Sequence, residues 1–169
     1  FQRQPMSAQI PLALRWPAHQ RFASFVAGAN APGIDILREA AHGAGVDRVF
    51  LAGARGSGKS HLLIAVCAEA AAVGRSAQYL DLSRLGEAAG DTIRRFAGSD
   101  VLAIDNLDVL VGDASAEHAL FDLHNRCRAE GTTLVFAASD PPTALALQLP
   151  DLVSRLSACT QWQIRPLDE

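Results

Sequence analysis

Short runs of apolar residues alternate with longer segments of helical periodicity along most of the chain. The apolar runs predict strands at residues 48–52, 78–82, 101–104, 132–138 and 160–164, and the segments between them predict helices at 34–42, 59–73, 85–96, 116–129 and 152–157. Residues 1–31 are interrupted by prolines and predict a loop. Strands that alternate with helices favour an α/β fold with a mainly parallel sheet covered by helices on both faces.

Composition and charge narrow the class of protein. The chain has 169 residues, of which 49% are hydrophobic and 20% charged, as expected for one globular domain. Its formal net charge of −3 does not indicate a broad basic surface for binding nucleic acid, so we expect no strong direct DNA binding. No apolar run reaches the length of a membrane span, and no signal peptide is recognisable. Three widely spaced cysteines indicate a reducing compartment, and we expect a cytoplasmic protein.

The segment after the strand at 48–52 carries a phosphate-binding motif. It fits the pattern G-x-x-x-x-G-K-[ST] without a mismatch and opens the helix at 59–73. Glycines let backbone N–H groups turn inward toward phosphate oxygens, and the helix N-terminus adds its positive end. Lys59 is the only lysine in the chain, which argues against a chance match. The predicted nucleotide-binding residues are Gly53, Ala54, Arg55, Gly56, Ser57, Gly58, Lys59 and Ser60.

A carboxylate after the strand at 101–104 completes the predicted site. We expect Asp105 to hold Mg²⁺ together with the Ser60 hydroxyl; the alternative is an ordinary surface aspartate. The next residue is Asn106, at a position where efficient ATPases carry an acid that activates water. An amide can orient a water molecule but cannot take its proton. The sequence therefore predicts a site that holds nucleotide well and cleaves it poorly.

The sequence alone does not decide the roles of two later residues. Asp140 follows the strand at 132–138 and is expected at the same edge of the sheet as Asp105. There it could sense the γ-phosphate of a bound nucleotide by direct contact. Because two prolines follow Asp140, a plain turn is an equal alternative. Arg155 lies in the helix at 152–157 and could be a helix-face residue without a function.

A series of sequence blocks occurs here in the order seen in one family of bacterial replication proteins. Through them the chain resembles the DnaA-related AAA+ ATPases over about residues 9–169. It resembles more closely the small Hda-type members, the regulatory inactivators of DnaA. In those members asparagine often stands at the position of Asn106, whereas DnaA normally has an acid there. The blocks lie at residues 53–63, 104–106, 121–126, 139–142 and 149–156.

The resemblance implies a P-loop NTPase (AAA+) core at residues 21–169, with ADP or ATP and Mg²⁺ as cofactors and homo-oligomer formation as an option. The chain ends near the point where the helical lid of this family begins, so we expect a core without the lid. A piece of a longer protein and a naturally lidless one both stay open as explanations. By position, the implied catalytic residues are Arg155, an arginine finger acting in trans, Asn106, and Asp140 at the sensor-1 position; His61, Phe25 and Val26 are implied to lie at the nucleotide.

Residues 1–20 form a separate segment with a motif at 9–14. Gln9, Ile10, Leu12 and Leu14 resemble the peptide by which Hda-type proteins bind the sliding clamp of DNA polymerase III. In such a peptide a glutamine hydrogen-bonds in one pocket, and alternate aliphatic side chains fill an apolar groove. The same alternation would suit an edge strand of this domain, so both interpretations stay open.

The resemblance implies a regulator of replication initiation. Docked on the clamp, it would promote hydrolysis of the ATP bound to DnaA and so prevent re-initiation. A DnaA-like initiator or a helicase loader is one alternative, against which the acidic composition argues. A small-molecule P-loop kinase is another, but neither a lid arginine nor an acceptor pocket can be assigned to it.

Overall fold

The computed structural model describes residues 31–96 and 98–165 of the chain. The predicted clamp-binding residues and two predicted nucleotide-side residues lie outside these ranges, and the structure does not test them. Within the described ranges, no helix combines the length and the apolar character that crossing a bilayer requires. The predictions that lie outside concern Gln9, Ile10, Leu12, Leu14, Phe25 and Val26.

Helices and strands alternate through the described residues in the predicted order. Short 3₁₀ turns at Leu82–Arg84, Gly86–Ala88, Leu107–Leu110 and Pro142–Ala144 join some of them. In chain order the elements are α1 (Ala31–His42), β1 (Arg48–Ala52), α2 (Lys59–Ala72), β2 (Ala77–Asp81), α3 (Ala89–Arg95), β3 (Val101–Asp105), α4 (Ala114–Glu130), β4 (Thr133–Ala138), α5 (Pro150–Ser157) and β5 (Thr160–Gln163).

The five strands form one parallel sheet in the order β2-β3-β4-β1-β5. β1 lies between β4 and β5, with Phe50 opposite both Phe136 and Gln161. Because the strands are parallel, all their carboxyl ends meet at one edge of the sheet. That edge receives the glycine-rich segment after β1, Asp105 at the end of β3, and Ser139 after β4. The predicted α/β fold is confirmed.

The three central strands, β1, β3 and β4, bury both of their faces, which explains why they read as continuous apolar runs. In β1, Val49 and Leu51 pack into the layer that holds α1 and α2, whereas Phe50 and Ala52 pack into the layer that holds α3, α4 and α5. All four side chains are at most 3% exposed. Side chains on a strand alternate between its two faces, so an uninterrupted apolar run is the pattern of a sheet covered on both sides.

The largest differences between the predicted and the observed helices lie at two N-terminal ends, those of α1 and α3. α1 begins three residues earlier than expected, because proline is accepted in the first turn of a helix, where Pro32 lies. The predicted helix at 85–96 is shorter: only Ala89–Arg95 is α-helical. Gly86 has a φ of 55°, in the left-handed region, which the interior of an α-helix does not contain. The chain therefore makes two 3₁₀ turns before α3 begins.

A buried carboxylate anchors the segment that leads into α5. Glu117 of α4 is 0% exposed, and its Oε1 accepts hydrogen bonds from the backbone N–H groups of Gln148 and Leu149, both at 2.8 Å. α5 begins at Pro150, immediately after these two residues. The contact fixes the position of α5, and with it Arg155, relative to α4.

Removing this anchor should destabilise the fold. Glu117→Ala should lower the free energy of unfolding by about 1–3 kcal/mol, because it leaves two partly buried N–H groups without an acceptor. Glu117→Gln, which keeps the acceptor oxygen, should lose much less. Urea unfolding compares both with Glu87→Ala, a matched change at an exposed glutamate. Equal midpoints for Glu117→Ala and Glu87→Ala would contradict the anchoring role.

Candidate functional site

The glycine-rich segment lies between β1 and α2, where the sequence predicts it. Gly58 stands immediately before α2 with a φ of 98°, a left-handed conformation that favours glycine. At Gly53 a Cβ atom would lie only 2.7 Å from the hydroxyl oxygen of Ser57, so the loop closes on itself too tightly for a side chain. Ala54 and Arg55 are exposed, whereas Ser57 is buried. The segment forms a compact loop at the N-terminus of α2.

Lys59 spans this loop and faces several carboxylates. Its Nζ donates hydrogen bonds to the carbonyl oxygens of Gly53 at 2.5 Å and Ala54 at 3.1 Å. Burial lowers the pKa of Lys59 below its ordinary value, and the carboxylates of Asp105, Asp108 and Asp140 oppose this shift. The ammonium group therefore lies near three carboxylates, one at the end of β3 and two in the segments that follow β3 and β4. His61 follows in the first turn of α2 and is half-buried.

The two predicted metal ligands lie in contact. Asp105 is 0% exposed, and its Oδ2 accepts hydrogen bonds from the Ser60 hydroxyl at 2.5 Å and the Tyr79 hydroxyl at 2.6 Å. Its Oδ1 accepts from the backbone N–H of Asn106 at 2.9 Å. Burial and the hydrogen bond to Asp105 raise the pKa of Tyr79, so this phenol stays protonated and donates. Tyr79 was missed from the sequence, in which it is one aromatic residue of a predicted strand.

The residues present fit a magnesium-bound nucleotide. Mg²⁺ prefers oxygen ligands and usually takes only one or two from the protein, with waters and phosphate oxygens supplying the others. Ser60 and Asp105 would hold it, and the described residues contain no cluster of three histidine, cysteine, aspartate or glutamate side chains that could hold a metal instead. The hydroxyl oxygen of Ser57 is buried in the loop, and no group in the described part of the chain forms a hydrogen bond with it. Such an orphaned polar atom fits a loop that binds a polar group.

The amide of Asn106 is directed toward the end of β2. Its backbone is left-handed, with φ 59° and ψ 48°, a conformation that asparagine tolerates better than most residues. The Nδ2 group donates to the Asp81 carboxylate at 2.7 Å. Burial opposes ionisation of Asp81, but hydrogen bonds from Ser83 and Asn106 prevail and lower its pKa. Asp81 therefore stays ionised and holds the amide in place.

A second carboxylate that the sequence analysis overlooked lies beside Asp140. Asp108, in the turn Leu107–Leu110, accepts hydrogen bonds from the backbone N–H of Ser139 at 3.1 Å and from its hydroxyl. The Ser139 hydroxyl also lies 3.0 Å from the carboxylate of Asp140, which is exposed. Asp140 thus reaches the edge of the sheet predicted for it. The signal for Asp108 was its spacing, three residues after Asp105.

Arg155 lies far from this loop. It is half-buried in α5, with its guanidinium carbon 5.7 Å from the centre of the Phe121 ring. It lines a cavity together with Arg48, the first residue of β1, whereas Gly53 follows the last residue of the same strand. Five residues of strand span about 16 Å. The predicted arginine finger and the predicted nucleotide loop therefore occupy opposite edges of the sheet.

Comparison with known proteins places these features in context. A family model of the bacterial DnaA ATPase domain matches residues 18–163. A replication initiator DnaA bound to AMPPCP and single-stranded DNA is 21% identical and gives a TM-score of 0.78, covering 90% of this chain and 51% of that one. Domain III of DnaA from Thermotoga maritima is 23% identical, with a TM-score of 0.78, covering 90% of this chain and 70% of that one.

A third structure, that of DnaI, is 16% identical and gives a TM-score of 0.65, covering 82% of each chain. At these identities the structural likeness shows the fold. This chain spans about half the length of the first DnaA structure, 51% of it.

Replacing the loop lysine tests the phosphate-binding assignment. Lys59→Ala should weaken binding of labelled ADP by about 10- to 100-fold or more, because it removes the charged donor that faces the phosphates. Arg95→Ala, which removes an exposed cation from α3, should bind as the unchanged protein does. Circular dichroism verifies that both variants are folded. Tight ADP binding by Lys59→Ala would refute the assignment.

Exchanging the Asn106–Asp81 pair tests the role of the amide. ATP turnover by the unchanged protein should fall well below about 1 s⁻¹, the low end of ordinary enzymes. The double variant Asn106→Asp with Asp81→Asn keeps the hydrogen bond and puts a carboxylate at position 106. It should hydrolyse ATP up to about 100-fold faster, the lower end of what a positioned base supplies.

The single variant Asn106→Asp is the control for this exchange, since it sets two carboxylates against each other and should be less stable than the double variant. Unchanged turnover in a folded double variant would contradict the assignment of position 106 as the site of the missing base.

Proposed function

The chain belongs to the bacterial DnaA ATPase domain family, and from this membership we propose that it is an Hda-type regulator of replication initiation. It binds ADP or ATP with Mg²⁺, docks on the sliding clamp of DNA polymerase III, and promotes hydrolysis of the ATP held by DnaA. The observation that carries the proposal is the position of Arg155, at the edge of the sheet opposite to the chain's own nucleotide loop. An arginine so far from the chain's own loop is available to a site on another protein, which supports the proposal.

The chain's own site is proposed to hold a nucleotide as part of the structure. Ser60 and Asp105 would hold Mg²⁺, which when bound neutralises charge on the phosphates. Lys59 binds the phosphates from the loop, and two of the solved DnaA relatives carry the nucleotide analogue AMPPCP. Asn106 lacks the basicity to take a proton from water, and Asp81 engages its amide. Nucleotide therefore stays bound for longer than it would in an efficient ATPase.

Arg155 is proposed to act on the partner's ATP. A guanidinium placed beside the transferred phosphoryl group stabilises the negative charge that develops on it. The stacking of Arg155 on Phe121 and the anchoring of α5 by Glu117 limit the motion of this side chain before the partner arrives. A side chain that is already positioned loses less conformational entropy on binding.

The clamp contact is proposed from the residues at 9–14 and from the resemblance alone. Gln9 would donate and accept hydrogen bonds in one pocket, and Leu12 and Leu14 would fill the apolar groove. The two functions thus use different parts of the chain. Docking uses the N-terminal segment, and stimulation of hydrolysis uses α5.

A DnaA-like initiator remains the second candidate, because one of the solved relatives is an initiator bound to single-stranded DNA. The net charge of −3 disfavours it, since DNA binding rests mainly on cations that neutralise phosphates. A gel shift with single-stranded DNA at physiological salt distinguishes the two. A tight, salt-sensitive complex would favour the initiator.

One assay tests the two proposed functional parts of the chain, α5 and the N-terminal segment, separately. With clamp-loaded DNA and ATP-bound DnaA, Arg155→Ala should bind the clamp normally but lose about 10³-fold or more of the stimulated hydrolysis. The triple variant with alanine at Gln9, Leu12 and Leu14 should instead lose clamp binding, because the glutamine pocket and the apolar groove are both left empty. ATP hydrolysis and clamp pull-down are measured on the same samples.

Two controls make this assay specific. Arg95→Ala should match the unchanged protein in both measurements. Arg155→Lys keeps the positive charge but not the planar fork, and should restore little of the activity. Full stimulation of DnaA's ATP hydrolysis by Arg155→Ala would contradict the proposed function.

A further inference from the structure

A cavity of about 270 Å³ lies at the edge of the sheet opposite to the nucleotide loop. It is formed by the start of β1, the last turns of α4, the end of α5 and the residue before β5. Three of the side chains that line it are arginines, from three different elements. The lining includes Asp47, Arg48, His124, Arg128, Arg155 and Cys159.

The positive charge of this cavity is only partly balanced. Of the described residues that line it, Asp47 alone is a carboxylate; it is 75% exposed, and its Oδ2 lies 4.0 Å from the Arg48 guanidinium. Burial raises the pKa of the Cys159 thiol to about 11, so this group is neutral and does not pair with an arginine. Three guanidinium groups and one solvated carboxylate leave a net positive charge. An anion is the ligand that such a charge attracts.

A buried histidine with unmet hydrogen-bonding capacity faces the same arginines. His124 is 4% exposed, and its ring is stacked on Phe136 with a centroid distance of 6.4 Å and an interplanar angle of 9°. Its Nδ1 is buried and finds no hydrogen-bond partner among residues 31–96 and 98–165. Burial, Arg48, Arg155 and Arg128 lower the pKa of His124 to about 4, and Asp47 opposes them. The imidazole is therefore neutral at pH 7.

We infer that this cavity binds a tetrahedral phosphate oxyanion through Arg48, Arg128 and Arg155, with His124 as a proton-linked neighbour. Guanidinium groups offer planar pairs of N–H donors that match phosphate oxygens. Pockets that bury a drug-sized ligand usually enclose about 300–1,000 Å³. A cavity just below that range admits a phosphate group but not a whole nucleotide. The inference goes beyond the proposed function, because it rests on the cavity of the single chain.

Binding should be linked to proton uptake by His124. The anion opposes the effect of the three arginines, so the pKa of His124 rises above 4 when the cavity is filled. A group whose pKa is higher in the complex than in the free protein binds a proton on complex formation. Affinity therefore rises as the pH falls through the pKa of the complex, by at most about tenfold per pH unit.

Sulfate is the probe of choice, because it is tetrahedral and does not titrate between pH 5 and 8. Sulfate should shift the ring resonances of His124 and bind more tightly at pH 5.5 than at pH 7.5. Arg155→Ala and Arg128→Ala should each weaken binding about tenfold or more, since each removes a charged donor. Arg128 is exposed, so its replacement leaves the fold intact. Arg95→Ala should bind sulfate as the unchanged protein does.

His124→Phe tests the proton linkage separately. This change keeps the stacking on Phe136 but removes both ring nitrogens. Sulfate affinity, measured by calorimetry, should be nearly unchanged at pH 7.5 and should no longer rise at pH 5.5. Lys59→Ala should leave the His124 shifts intact, which excludes the nucleotide loop as their source.

Two further ligands distinguish the sources of the phosphate. In Lys59→Ala, stronger His124 shifts with ATP than with inorganic phosphate identify the terminal phosphate of a nucleotide as the occupant; equal or weaker shifts identify free phosphate. Unmoved His124 resonances, or sulfate affinity unchanged in Arg128→Ala, overturn the inference. Because the titration needs neither DnaA nor the clamp, its failure leaves the hydrolysis assay unaffected, and failure of that assay leaves this titration standing.

Discussion

The nucleotide site depends on the buried carboxylate of Asp105. Hydroxyl groups from α2 and β2 and a backbone N–H group donate to it, and the side chain is sealed from solvent. A buried charge is tolerated only when hydrogen bonds replace the water it has lost. Ser60, Tyr79 and the chain after β3 are therefore positioned by one group. The carboxylate that orders the site is also the one suited to Mg²⁺.

The parallel sheet keeps two clusters of opposite character apart. At its carboxyl edge, Lys59 faces three carboxylates. At its amino edge, three arginines face a single exposed carboxylate. The strands between these edges act as a spacer of fixed length, so charge at one edge does not neutralise charge at the other. The proposed function requires this polarity, with a nucleotide at one edge and Arg155 at the other.

Much of this arrangement could be predicted from local sequence, because its causes are local. The glycine-rich loop is fixed by the strand before it and the helix after it, and the Ser60–Asp105 contact follows from the order of parallel strands. Tyr79 and Asp108 were missed because neither belongs to a motif: Tyr79 is one aromatic residue of a predicted strand, and the signal for Asp108 is no more than its spacing after Asp105. The direction of the Asn106 amide depends on Asp81, across neighbouring strands. The predicted helix at 85–96 was too long because periodicity does not register the left-handed backbone of Gly86.

The strand order also constrains how the chain acquires its structure during synthesis. β1 is made first, yet it pairs only with β4 and β5, and the pairing of Arg48 with Leu134 spans 86 residues. Pairing over such distances closes late, because loop-closure entropy must be overcome first. β2 and β3 can pair earlier, but β1 stays an unpaired apolar strand until β4 has left the ribosome. The nascent chain therefore exposes an apolar strand, and lacks a formed nucleotide loop, until β4 has been translated.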